Sequence, residues 1–227
     1  MGDVNQLQWF KGNFDLVKSA VLEIGAAFID DNVSFDYRKL FKELEYTGID
    51  IHSGRNVDIA IDITSDFNII DAKLDHKRFN TVICFSVLEH VDNIFKAAEN
   101  ISRLTDKNGV LFVSVPFAWR FHAYPNDYWR FTPEGIKRLF SNFSFKREFC
   151  TISSSRAFDI KPLIDYPDDL NAFVAKSTST ISPIYLVLKI INKVLSKFRI
   201  MNHRFSTFSY LLTPCMINMI GIKKHND

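Results

Sequence analysis

Apolar positions in the first 120 residues fall into short β-branched runs separated by segments with helical spacing. The runs Ala20–Ile24, Tyr46–Ile51, Val57–Ile61, Thr81–Phe85 and Gly109–Val115 read as strands. Between them, Asp36–Leu44 and Asn93–Thr105 read as helices. In the second, Ile94, Ala97, Ala98, Ile101 and Leu104 share one face. Asp106-Lys107-Asn108-Gly109 closes that helix with a polar turn and a glycine. Thr132-Pro133-Glu134 starts another, with the threonine as cap and the proline at the first position. Two further apolar stretches, Phe143–Ile152 and Ala172–Ala175, are candidates to complete a sheet. Strands alternating with helices predict an α/β fold with a doubly wound, mostly parallel sheet of about seven strands.

The pattern changes near Ser177. Ser182-Pro183 caps a predicted helix in which Lys189, Lys193 and Lys197 share one face; Ile190, Ile191, Val194, Leu195 and Phe198 take the other. Phe205–Ile222 is free of charge but carries Pro214, Asn218 and several hydroxyls, which argues against a membrane-spanning helix. The expected organisation is a domain over 1–177 and a basic, amphipathic extension over 178–227. Charge sharpens that division. From Leu170 to Asn226 there are eight basic residues and no acid, so with Asp227 the tail carries +7 and the remainder −5. An anionic surface or a docking site on the body suits such a tail, with peripheral membrane contact through 182–198 as one reading. Its apolar face argues against nucleic acid.

Composition adds limits. At 227 residues and 47% hydrophobic content, with 22 phenylalanines, the chain is globular and sized for one well-buried domain. Cys84, Cys150 and Cys215 are distant and odd in number, which favours a reducing, cytoplasmic setting over a disulfide framework. The opening residues lack a basic stretch followed by an apolar run, so no secretory signal is expected.

Candidate chemistry lies at the ends of the predicted strands. "VLEIGAA" ends the first strand with Glu23, Gly25 and Ala27, "GIDI" ends the second with Asp50 and Ile51, and "IDI" ends the third with Asp62 and Ile63. In an open α/β sheet, ligands bind beyond the carboxyl ends of the strands, and an acid there accepts both hydroxyls of a ribose. With "VICFSVLEHV" and "NGVLFVSVP", these residues resemble a class I S-adenosylmethionine-dependent methyltransferase of the type 11-like kind over about Val21 to Phe140, with its Rossmann-like fold. The resemblance implies S-adenosylmethionine as cofactor. Glu23, Gly25 and Ala27 would form its loop, Asp50 with Ile51 would bind the ribose, Asp62 with Ile63 would lie against the adenine, and Ser86 and Leu88 would line the methionine side. The family usually has glycine where Ala27 stands. A donor without pyrophosphate needs no close approach to a helix N-terminus, which favours it over NAD. Some relatives with a similar "LEHV" hold a divalent ion, with an acid where Ser86 stands here; Glu89 and His90 alone are too few for a site, so no metal is expected.

"WRFHAYPNDYWRF", Trp119–Phe131, follows the fifth strand and is the expected acceptor region. Trp119, Arg120, Tyr124, Tyr128 and Arg130 combine aromatic faces with hydrogen-bonding groups, a mixture that suits a sugar ring. The segment also resembles, more loosely, methyltransferases associated with bacterial surface glycans. A small-molecule or glycan acceptor is therefore expected, with methylation at a hydroxyl of a sugar or glycan-lipid precursor. Methyl transfer relies mostly on positioning, helped by a base; His122 is the first candidate and Asp127 the second. The alternatives are a structural elbow at 124–135 with Arg130 and Asp127 tying it down, and a chain that keeps the fold as a binding scaffold without catalysis.

Overall fold

The computed structural model describes residues 4–28, 35–122, 126–154, 157–163 and 215–225. Its elements are α1 Val4–Gly12, β1 Val21–Ile24, β2 Tyr46–Asp50, β3 Ile59–Ala60, α2 Phe67–Lys73, β4 Phe79–Phe85, α3 Ile94–Leu104, β5 Thr105–Pro116, α4 Pro133–Leu139, β6 Phe143–Phe145, β7 Thr151–Ser153, β8 Ile160–Pro162 and β9 Met216–Lys223. All five expected strands are present, and the expected helix at 36–44 is a short 3-10 turn, Tyr37–Phe41.

The strands form one nine-stranded sheet in the order β3-β2-β1-β4-β5-β9-β7-β8, with β6 also paired to β9. The first five run parallel, and β9 joins β5 antiparallel over Val110–Pro116. β1 and β4 are buried on both faces, which is why they read as unbroken apolar runs and not as alternation. Helices cover both sides. Phe67 and Ile70 of α2, Ile94, Ala97, Ala98, Ile101 and Leu104 of α3, and Ile136 of α4 pack into one core. Trp9 and Phe10 of α1 pack with Tyr37, Phe41 and Phe112 into the other. There Phe10 meets the Phe112 ring edge-to-face at 5.0 Å and the Phe85 ring at 5.5 Å.

Local signals account for the helix starts. The Asn93 side chain accepts from Lys96 N at 3.0 Å to cap α3, and Thr132 accepts from Gly135 N at 3.1 Å to cap α4 with Pro133 behind it.

The boundary expected at residue 177 does not separate sheet from tail, because β9 lies inside the sheet between β5 and the β6 and β7 strands. Its run "MINMIGI" is buried from Met216 to Gly221, so it shows none of the alternation that marks a half-exposed strand. The polar atom that this burial would orphan is satisfied: Asn218 Oδ1 accepts from Ser114 Oγ at 2.7 Å, and its Nδ2 donates to Thr151 Oγ1 at 3.2 Å. The strand ends at Lys223, whose Nζ donates to the carbonyls of Ser102 and Thr105 at the foot of α3. The stretches 172–175 and 182–198 lie outside the described residues.

Candidate active site

Strand order reverses between β1 and β4, since β2 and β3 lie to one side and β5 to the other. The crevice at the carboxyl ends of these strands is where an open α/β sheet binds its ligand. Three groups of residues meet this edge.

The first is the turn after β1. Gly25 takes φ +79°, and its N–H and that of Ala26 both donate to Ile49 O. A Cβ at Gly25 would stand 2.3 Å from Val87 Cγ2, so the turn leaves room for no side chain there. Ala27 N donates to Asp50 Oδ2 at 3.2 Å, and His52 N donates to Oδ1 at 3.0 Å. Asp50 thus ties the β1 turn to the end of β2 while its carboxylate remains partly accessible. Ile51 beside it is 54% exposed, an apolar side chain without cover at the place expected to meet a ribose. Glu23 is buried beneath the turn and accepts from Tyr46 OH at 2.7 Å. Burial pushes its carboxyl up to about 7, against the opposing pull of the Tyr46 hydrogen bond.

The second group follows β3 and β4. Asp62 Oδ1 accepts from Thr64 N at 2.7 Å and from Thr64 Oγ1 at 2.8 Å, which fixes the turn. Buried Asn100 of α3 donates to the carbonyls of Ile63 and Ser65 and pins this turn from below. Ser86 adopts φ +52°, with its N donating to Ser114 O at 2.9 Å and its Oγ facing Gln6 Nε2 of α1 at 3.5 Å. Leu88 and Ile63, expected against the cofactor, are buried in the core, so their side chains support the wall from behind.

The third group is the segment from β5 to α4. Phe131 N donates to Pro116 O at 2.9 Å and closes its base. Tyr128 N donates to Glu89 O, and Trp129 Nε1 to Val91 O, so the segment is sewn onto the turn after β4. Arg130 and Asp127, expected at the substrate and the proton respectively, are spent on each other. Arg130 Nη1 and Nη2 donate to the two Asp127 oxygens at 2.5 and 2.7 Å, and the guanidinium also reaches the carbonyls of Trp119, Arg120 and Trp129. The Arg130 guanidinium holds the Asp127 carboxyl well below the usual carboxylate range, which makes it a poor proton acceptor. Asp127 instead positions His122: its Oδ2 accepts from His122 N at 2.9 Å and lies 3.2 Å from the ring Nδ1. The His122 ring meets that of His90 at 4.9 Å, and Glu89 completes the cluster from below. Glu89 is 1% exposed, its Oε2 has no hydrogen-bond partner among the described residues, and burial pushes its carboxyl up to about 7. Around this cluster Phe121 is 78% exposed, and Tyr128, Trp129 and Arg120 also reach solvent. Tyr124 lies outside the described residues.

Sequence reading missed Asn100, Tyr46 and Gln6. Asn100 and Gln6 are buried and Tyr46 is partly buried, each within or behind an apolar pattern, and the signal is the polar interruption itself.

A doubly wound sheet with a positive-φ glycine turn after β1 and an acid ending β2 defines an open α/β protein of the kind that binds its ligand at the carboxyl ends of its strands. The sequence profile of the methyltransferase-domain family matches residues 13–151, more than half the chain, and the protein belongs to that family. Its fold is that of the class I S-adenosylmethionine-dependent methyltransferases. One similar solved structure is a SAM-dependent methyltransferase from Archaeoglobus fulgidus, at 16% identity and TM-score 0.56, covering 98% of this chain and 95% of that one. Another is the [4+2]-cyclase SpnF, at 10% identity and TM-score 0.53, covering 98% and 80%. A third is the N-methyltransferase NodS from Bradyrhizobium japonicum WM9, at 12% identity and TM-score 0.50, covering 97% and 95%. No curated protein matches the sequence significantly. The residues present fit the family's cofactor: the Gly25 cradle admits no Cβ, and the partly accessible Asp50 carboxylate lies beside uncovered Ile51.

Proposed function

We propose that the protein transfers a methyl group from S-adenosylmethionine to an oxygen of a small-molecule acceptor, a hydroxyl of a sugar or glycan-lipid precursor. The observation that carries this reading is the meeting of the Gly25–Asp50 cradle and the His122–Asp127 pair at one sheet edge. S-adenosylmethionine supplies the electrophilic methyl group. Asp50 binds the ribose, Asp62 meets the adenine, and the Gly25–Ala27 turn and Ser86 face the methionine end. Exposed Phe121, Tyr128 and Trp129, with Trp119 and Arg120, offer aromatic and polar faces to a ring-shaped acceptor. His122 acts on the acceptor hydroxyl. The Arg120 carbonyl accepts from its Nδ1 and so leaves Nε2 with the lone pair, while Asp127 lies 3.2 Å from the same nitrogen and Arg130 keeps Asp127 anionic.

The scaffold alternative rests on the single glycine in the turn. Gly25 alone in 25–27 needs a positive φ, so alanines at 26 and 27 cost the loop nothing. Among the described residues no helix is long and apolar enough to cross a membrane. Peripheral contact through lysines 189, 193 and 197 would bring the site to a lipid-linked acceptor.

Calorimetric titration with S-adenosylmethionine and S-adenosylhomocysteine tests the cofactor reading. Binding in the micromolar range should disappear in Asp50→Ala. No binding of either ligand to the unaltered protein removes methyl transfer and leaves the scaffold.

A further inference from the structure

Glu89, His90 and His122 each offer one ligand atom, and these atoms lie within 4.8 Å of one another. Both imidazoles spend Nδ1 on an oxygen that can only accept. His90 Nδ1 lies 2.6 Å from Asn126 O, and His122 Nδ1 lies 3.3 Å from Arg120 O, with Asp127 Oδ2 at 3.2 Å. Each Nδ1 therefore carries the hydrogen, and each Nε2 is left as a bare lone pair. An oxygen acceptor behind each imidazole is the usual support of a metal-binding histidine. The third member supplies the independent sign. Glu89 Oε2 is buried and has no partner among the described residues, although a carboxylate oxygen so placed ordinarily finds a donor. With Glu89 ionised, the cluster offers three lone-pair groups, and a cation is the ligand that satisfies all three.

We propose that Glu89, His90 and His122 bind a divalent first-row transition cation beside the acceptor site, His122 adding the third ligand to the Glu89-His90 pair that is too few in the sequence alone. Two imidazoles and one carboxylate suit manganese, iron, cobalt or zinc better than magnesium or calcium, which prefer all-oxygen shells. Ligands on one such ion stand roughly 3–4 Å apart, given bonds of about 2.0–2.2 Å. The cluster is slightly wider, so binding draws the ligands inward by about 1 Å. With three protein ligands, the ion keeps open positions for water or for acceptor oxygens.

The catalytic consequence rests on the methyl-transfer reading; the binding itself does not. A hydroxyl on the cation is acidified and gives its proton to solvent. Its oxygen then forms the new O–CH3 bond as the S–CH3 bond breaks, and S-adenosylhomocysteine leaves as a neutral thioether. His122 then serves as a ligand, and the cation takes over the work on the hydroxyl that His122 would otherwise do as a base.

The test is a Co2+ titration of the whole protein after chelator treatment, followed by visible absorption and by the metal content retained after dialysis. One Co2+ per chain is expected, with d–d bands that Zn2+ abolishes and Mg2+ does not. Glu89→Gln and His90→Ala should each weaken binding by about tenfold or more. His122→Asn, at the rim of the cluster, gives the same readout if His90→Ala does not fold. His76→Ala removes an exposed histidine paired with Asp71 and should change nothing. Less than one tightly held ion per chain, or equal binding in all variants, overturns the assignment. S-adenosylhomocysteine titration of the same samples reports separately on the cofactor, so failure of either reading can be told from failure of the other.

Discussion

Glu23 shows how one buried side chain can support a site and still weigh on the fold. It lies under the Gly25 turn with a single strong partner, Tyr46 OH, and its carboxyl is raised from 4.5 to about 7 chiefly by burial. Between those values the folded protein holds a proton that the unfolded chain releases. Its contribution is therefore fully present below pH 4.5 and is lost as pH rises through about 7. By neutral pH the loss amounts to about 2–3 kcal/mol. Glu23→Gln keeps an acceptor for Tyr46 and cannot ionise, so its melting temperature should fall less between pH 5 and 8. Some slope should remain, because Glu89 is raised to about 7 by the same cause. Equal slopes in the variant and the parent would mean that Glu23 does not titrate in this range. At this scale the acids ending the strands were legible, because Glu23, Asp50 and Asp62 interrupt apolar runs where a sheet presents its ligand edge. Asp127 and Arg130 stayed open between site groups and a pair tying down the elbow, since an ion pair and a free base have the same letters and differ only in what surrounds them.

Elements were legible in proportion to how strongly their neighbours in sequence determine them. α3 was readable because its buried face repeats every three or four residues and Asn93 caps it. β9 was hidden because its partners β5 and β7 lie about a hundred and about sixty residues earlier, and nothing local marks a fully buried antiparallel strand. Its packing is nonetheless tight. A Cβ at Gly221 would stand 2.8 and 2.9 Å from ring carbons of Phe145 and 3.1 Å from Phe143 Cβ. Gly221→Ala should therefore cost about 1–3 kcal/mol by forcing the Phe145 ring aside. Gly54, with nothing within 4 Å, is the control and should change little on the same substitution. Urea unfolding of the two variants makes the comparison. Equal midpoints would mean that β6 does not lie on β9 in this register.

At the scale of the whole molecule, a long excursion in sequence separates β8 from β9, two strands of the same sheet. Leu163 N donates to Cys150 O at 2.8 Å, and Cys215 N donates to Ser153 O at 2.7 Å, so both ends of this excursion are fastened beside β7. The excursion carries Lys176, Lys189, Lys193, Lys197, Arg199 and Arg204 and no acid after Asp169, while Lys223 and Lys224 stay with the sheet. Its charge is thus inserted in the sequence between two strands of the sheet and not appended after the last of them. Replacing 170–213 by a short Gly-Ser linker should leave β9 paired and S-adenosylhomocysteine binding intact, because β9 pairs with β5 and β7 and both ends of the excursion bond beside β7 through residues outside this span. The same change should abolish co-sedimentation with vesicles rich in anionic lipid, and raising the salt concentration should weaken that binding in the parent protein. If the linker variant sediments as the parent does, the lysines do not carry membrane contact. If it loses S-adenosylhomocysteine as well, the excursion belongs to the cofactor site, and its charge serves the reaction before it serves any surface.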